Sequence, residues 1–332
     1  MTAAEGASGD GAAGRSGDEQ AGRSGDDLAG RSGDEQAGRS GDDAAAPAAV
    51  PVAAPAARRP LSWRAEVGRQ LRRRRTIWAF VLLLALPVVL VAAFAVGGAN
   101  SSGAGARSSS SRLVDLAQAG AANFAVFSTS AAASFLLVVL AALFVGDAVP
   151  SEASWATLRY LLLAPVPRAR LLTSKLVVAM GTMAVAVVVL VAWALLVGGL
   201  AYGWAPFTNP AGGVLEWSVL LPRLLVVVAY LVVLLSQVGA IAFWLGVRTD
   251  APLAAVGGAV MVTIVSSILG QIDTLGDWRT GLPMYYDRAW LDLLTPQVDW
   301  TAMTHGALWS TLYTIVFLGI AYRTFRRKDI LS

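Results

Sequence analysis

Beyond position 75 the chain alternates long apolar runs with shorter polar segments, and six of the runs are long enough to cross a bilayer: 76–97, 124–146, 171–200, 219–247, 252–270 and 301–322. A hydrocarbon core takes roughly 20 helical residues, and no run carries a charge away from its ends, so each predicts a transmembrane helix. The runs at 171–200 and 219–247 are longer than a perpendicular helix needs, which predicts tilt or projection beyond the bilayer. Just before the first run the period changes. Trp63, Val67 and Leu71 recur at i, i+4 and i+8 among arginines, a spacing that puts them on one helical face. This predicts a surface helix over 61–75, with Trp63, Val67 and Leu71 in the headgroup boundary and Arg64, Arg69, Arg72 and Arg73 toward anionic lipid. The expected fold is an all-α membrane protein of six transmembrane helices. The amphipathic helix precedes the first span, and a short helix separates spans two and three.

Composition changes this picture mainly at the N-terminus. Hydrophobic residues make up 56% of the chain and charged residues 14%, which agrees with a multi-pass membrane protein. Up to Ala57, however, four arginines face ten acidic residues, a net of −6, whereas the remainder holds 22 basic and 12 acidic residues, a net of +10. The acidic stretch is an octapeptide repeat, AGRSGDEQ or AGRSGDD followed by Leu or Ala, starting at Ala13, Ala21, Ala29 and Ala37. It carries almost no apolar side chains to offset its ordering entropy, so 1–60 is expected to be a disordered spacer with an Ala/Pro end. There is no cysteine and a single histidine, His305, which excludes disulfides and thiolate sites and leaves little room for a histidine-based metal or catalytic cluster; no metal is expected.

The basic residues also orient the spans. With the N-terminus in the cytoplasm, 17 lysines and arginines from Arg58 onward fall on the inner side and five on the outer side, so both termini are expected inside the cell (plasma or inner) membrane. Tyr202, Trp204, Trp217, Trp278, Tyr285, Tyr286, Trp290 and Trp300 then collect on the outer side, where an interfacial aromatic belt is expected.

The stretch 146–175, GDAVPSEASWATLRYLLLAPVPRARLLTSK, separates the second and third runs. Pro150 and Ser151 open it and Ser154 can cap. A helix-forming stretch over 155–163 puts Leu158, Leu161 and Leu162 on one side, and Pro165 and Pro167 close it. With Glu152, Ala156-Thr157, the Leu161-Leu162 pair, Pro165-Val166-Pro167-Arg168 and Lys175 in that order, it resembles the permease subunits of type-2 ATP-binding-cassette (ABC) transporters. Ala156 stands where that family usually has glycine, and Pro167 where it usually has serine. The resemblance runs from about Leu61 to the end. It takes in the basic pre-span helix, the long segment DWRTGLPMYYDRAWLDLLTP before the last span, which looks like the family's partly helical outer or re-entrant element, and the closing YRTFRRKDILS.

The resemblance implies a six-span domain over 76–325 with a cytoplasmic tail at 326–332. The subunit would pair with itself or with a related permease, and would move a substrate, most often outward, with ATP hydrolysed elsewhere. The chain has no Gly-Lys dipeptide and hence no GxxxxGK[ST] phosphate cradle, so ATP and Mg are expected on a separate ATPase subunit. Glu152, Ala156, Thr157, Leu158, Arg159, Leu162 and Arg168 would form the coupling element that seats on that ATPase. No catalytic residue is expected in this chain, and no nucleic-acid partner.

Polar groups inside the runs are few and neutral: Thr129, Ser130, Ser236, Gln237, Thr263, Ser266 and Ser267. The absence of ionisable residues there argues against proton-coupled carriers and voltage sensors. Helix packing or a bond to a backbone carbonyl, rather than substrate contact, is the expected role of these groups, and close helix crossing that of the pairs Gly198-Gly199 and Gly257-Gly258. A largely apolar pathway would suit a hydrophobic or amphipathic cargo. Two other readings compete. One is a membrane hydrolase built from Asp287, Asp292, Asp299 and His305 acting on Ser310, although Ser310 lies five residues from His305 and off its helical face. The other is a scaffold that binds an ATPase without transporting.

Overall fold

The computed structural model describes residues 63–100, 109–150, 168–210, 212–249 and 251–327. The octapeptide tail, the closing residues from 328 and the insert at 151–167 lie outside them. The elements in order are α1 (Trp63–Arg72), α2 (Arg74–Asn100), α3 (Ser109–Ala117), α4 (Ala121–Ala133), α5 (Leu136–Gly146), α6 (Arg168–Tyr202), strands β1 (Phe207–Thr208) and β2 (Val214–Leu215), α7 (Trp217–Thr249) and α8 (Pro252–Gly270). Two 3-10 segments (Asp273–Gly281 and Ala289–Leu294) and α9 (Thr301–Arg327) complete the series.

The described chain is an all-α membrane protein. Five helices are long and apolar enough to span, and α4 with α5 makes a sixth if the bent pair is counted as one. Each predicted span has its helix within a few residues, and α8 has the predicted bounds. The last helix runs on to Arg327 because the aromatic-basic close stays amphipathic, burying Ala321 and Phe325. The bundle is organised around α7, the most buried span: 61% of its spanning window is covered, against 17% for α2 and for α9. Leu231, Leu234, Leu235, Val238 and Ile241 supply the α7 face of the core, and Leu83, Leu137, Leu172 and Leu190 meet it from other helices.

Two features depart from the sequence expectation. The second predicted span is not one rod: α4 and α5 meet at Ser134 and Phe135 with a bend of 56°. Two serine back-bonds flank the break, Ser130 donating to the Val126 carbonyl (2.9 Å) and Ser134 to the Ser130 carbonyl (3.4 Å); such bonds compete with the helical ladder, although Thr182 and Thr263 make them within unbroken helices. In addition, α3 lies in a segment where no helix was anticipated.

Two of the intramembrane polar groups, Ser236 and Gln237, join helices, while Ser130 and Thr263 bond the carbonyl one turn back in their own helices. Ser236 and Thr314 share a hydrogen bond (2.8 Å) and Gln237 donates to the Ser310 hydroxyl (3.1 Å), so both tie α7 to α9. Of the glycine pairs, Gly198 abuts Phe124 of α4 and Gly258 faces Leu245 of α7; Gly199 abuts Trp204, just past the end of its own helix, and Gly257 has open space around it, so neither of these two marks a crossing. The closest backbone approach is elsewhere, at Gly246, where an added Cβ would meet the Gly146 carbonyl oxygen at 2.5 Å.

Candidate functional site

The two ends of the bundle are built differently. At the basic end, α1 buries Gln70 and leaves Val67 and Leu71 exposed on one face, with Arg69 and Arg72 also exposed. The side chains of Trp63 and Arg64 lie outside the described residues. One residue later α2 begins, and its first turn reaches across the bundle. Arg75 Nη1 donates to Asp147 Oδ1 (2.8 Å), and Arg73 Nη1 lies 3.6 Å from Asp147 Oδ2. The Asp147 side chain is only 8% exposed. Burial pushes its carboxyl above the usual carboxylate range, against the opposing pull of the Arg75 and Arg73 guanidiniums.

Asp147 caps the exit of α5, three residues before Pro150 and the insert. The ion-paired cluster therefore fixes the start of α2 to the chain that leads into 151–167. Nothing in the sequence marked this contact: the partners are 72 and 74 positions apart, and Asp147 reads there as an ordinary polar boundary. On the other side of the insert, the Thr173 and Tyr322 hydroxyls share a hydrogen bond (2.7 Å), joining the start of α6 to the end of α9. Glu152, Ala156, Thr157, Leu158, Arg159 and Leu162 all fall outside the described residues, and of Arg168 only the backbone, as the first residue of α6, is described.

At the aromatic end the framework is made of side-chain hydrogen bonds to backbone, from neutral groups and one arginine. Asn123 pairs with Thr208 in both directions, Nδ2 to O at 2.8 Å and N to Oδ1 at 2.9 Å, which seats the β hairpin on α4. Asn209 donates to the Leu294 carbonyl (2.8 Å). Arg223, near the start of α7, donates to the carbonyls of Leu293 (2.7 Å) and Thr295 (2.8 Å) and so caps the second 3-10 segment. Tyr230 donates to the Tyr286 carbonyl (2.7 Å) and Tyr313 to that of Gly281 (2.6 Å). These bonds hold the long segment before α9 against two spans. Trp278, 88% exposed, suits an aromatic belt, but Trp290 is 1% exposed and belongs to the core. Its place in the belt is corrected by the packing of the second 3-10 segment onto α7.

A family model described as ABC-2 family transporter protein matches residues 69–266, more than half of the chain. The chain belongs to the ABC-2 transporter family. It is a type-2 ABC transporter permease and a multi-pass membrane protein. Among the curated proteins, none matches it. The matched residues run from α1 through most of α8 and include both partners of the Arg75–Asp147 pair.

The groups that a hydrolase would need have separate structural tasks in this permease. The Ser310 hydroxyl is buried and accepts from Gln237, while His305 lines an apolar groove with Leu308, Trp309 and Leu312 and sits against the Tyr286 ring. Asp299 accepts the Thr301 backbone N–H (2.8 Å) at the start of α9, which holds its carboxyl below the usual range. Among the described residues no three His, Asp or Glu side chains come together.

Proposed function

We propose that the chain is the membrane subunit of an ATP-driven exporter whose ATPase is a separate polypeptide. The family match carries this reading, because it covers the basic end and the insert between spans two and three. On this reading the basic end is cytoplasmic, both termini lie inside the cell membrane, and the 151–163 segment seats in a groove of the ATPase, which binds ATP and Mg. Arg159 and Arg168 offer charge to an acidic surface there. The Arg73–Arg75–Asp147 cluster is the joint between that segment and the bundle, so movement of the insert reaches α2 and α5 directly. The subunit works as a dimer, with itself or with a related permease, and supplies no catalytic residue. The α1 helix rests on the inner leaflet through Trp63, Val67 and Leu71, with Arg64, Arg69 and Arg72 toward anionic headgroups, whereas Arg73, expected there from the sequence, turns to Asp147. The cargo is hydrophobic or amphipathic, in keeping with the neutral interiors of the spans.

The test is to tag the C-terminus, solubilise native membranes gently and identify what co-purifies. A stoichiometric protein with a phosphate-binding loop, lost when Glu152 and Arg159 are both changed to alanine, is the expected result. Purification of the chain alone under every gentle condition would end this reading.

A further inference from the structure

A cavity of about 430 Å³ opens where the second span breaks. Three separate pieces of chain form it: Ser134 at the bend, the last turn of α8 and its cap (Ser266, Ser267 and Gln271), and the stretch between the two 3-10 segments, with Asp287 and Arg288. Its chemistry is unlike that of the apolar span surfaces, since hydroxyls, an amide, the Asp287 carboxylate and the Arg288 guanidinium converge there. Just beside it, Phe135 and Ile268, the chain neighbours of Ser134 and Ser267, are 60% and 56% exposed. Polar groups in the cavity thus adjoin open apolar surface.

The outer wall is held rigidly. Tyr230 and Tyr313 pin the carbonyls of Tyr286 and Gly281 from α7 and α9. Between those two points Met284 adopts φ of 63°, which is unfavourable for an unbranched, bulky residue and persists only where the surroundings enforce it. Its side chain is buried, with the sulfur accepting from Gln237 Nε2 (3.5 Å). The backbone turn at Met284 brings Tyr285 over Gly270 and places Asp287 in the cavity wall. Asp287 is half-buried and has no lysine or arginine at ion-pair distance among the described residues. Burial pushes its carboxyl above the usual range, opposed by the Arg288 guanidinium and by the backbone N–H groups of Arg288 and Asp287 itself. Arg288 is exposed, so water screens its charge, whereas a partly desolvated carboxylate without an ion pair is stabilised by a cation.

We propose that this cavity binds the ammonium head of an amphipathic molecule, with Asp287 as its counter-charge, Ser134, Ser266, Ser267 and Gln271 as hydrogen-bonding partners, and the apolar surface at Phe135 and Ile268 for its tail. That the occupant is cargo rests on the exporter reading; that the cavity binds it does not.

The test uses the full chain in phosphatidylcholine nanodiscs and a fluorescent long-chain primary alkylammonium, with an alkyl phosphate of the same chain length as the counter-probe. Saturable binding of the ammonium is expected, weakened about tenfold by Asp287→Asn, weakened also by Ser267→Leu, which fills the cavity and keeps the charge, and not weakened by Arg288→Gln. Equal affinity of the parent and both cavity variants would overturn the proposal. Tighter binding of the phosphate, lost in Arg288→Gln, would overturn the cationic assignment in favour of an anion. With the ATPase present, probe binding without ATP-driven movement of any substrate would remove the exporter reading and leave the cavity. ATP-driven movement of the probe at the parent's rate by Asp287→Asn would do the reverse.

Discussion

The two ends of the bundle solve the same problem with different materials. At the basic end, distant pieces of chain meet through charge, with Arg73 and Arg75 on one buried carboxylate. At the aromatic end they meet through neutral side chains and one arginine donating to backbone carbonyls. A carbonyl cannot titrate and cannot be drawn off by a competing ion, so the aromatic end behaves as a fixed frame. An ion pair whose carboxylate is partly desolvated has little net stability and responds to protons, salt and the charge of a partner. On the exporter reading, stability and responsiveness lie at opposite ends of this permease.

Substitutions at the frame should therefore cost stability, and substitutions at the cluster should cost coupling. The largest effect is expected at Gly306, beneath the Tyr230 hydroxyl, where an added Cβ would approach the Tyr286 Cβ to 2.7 Å. Gly306→Ala should lower stability by about 3 kcal/mol, seen as a lower midpoint in thermal unfolding of the detergent-solubilised chain. Arg223→Gln comes next: it removes the guanidinium from the two carbonyls it caps and should cost about 2 kcal/mol, and a stability equal to the parent's would show that the second 3-10 segment holds without it. Tyr230→Phe deletes one hydrogen bond and keeps the ring, for about 1 kcal/mol, by the same measurement.

The smallest stability change is expected for Asp147→Asn, within about 1 kcal/mol of the parent at neutral pH, together with a marked loss of ATPase co-purification. The pH dependence has a definite sign. The folded-state carboxyl of Asp147 lies above its ordinary value of 3.8, so its contribution to stability is full below that ordinary value and is lost as pH rises through the raised one. Unfolding midpoints of the parent, compared with those of Asp147→Asn, should show this contribution fading as pH rises from the acid side and absent in the variant. A large stability loss in Asp147→Asn at neutral pH would erase the contrast between the two ends.

The sequence showed the spans because they depend on local composition: an uncharged run of twenty residues has few alternatives to a membrane helix. It also placed a helix over 61–75, of which α1 covers Trp63–Arg72, and the close crossings at Gly198 and Gly258. It did not show which faces meet. The Arg75–Asp147 pair, the Arg223 cap and the cavity at Ser134 all join residues far apart in sequence, and a run of leucines and valines is equally apolar on every side. The bend at Ser134 had a local signal in the hydroxyls at 130 and 134, but serines also sit quietly in straight membrane helices. Met284 gave no sign at all, since its backbone is forced by two tyrosines from other helices.

The bent second span has a mechanical consequence. Its two arms, of 13 and 11 residues, are tethered at their far ends, one to the hairpin through Asn123 and the other to α2 through Asp147. A strut pinned at both extremities and jointed near its middle turns a push along its axis into sideways travel of the joint. Ser134 and Phe135 are that joint, so on the exporter reading a thrust at Asp147 would arrive, rotated, at the mouth of the cavity.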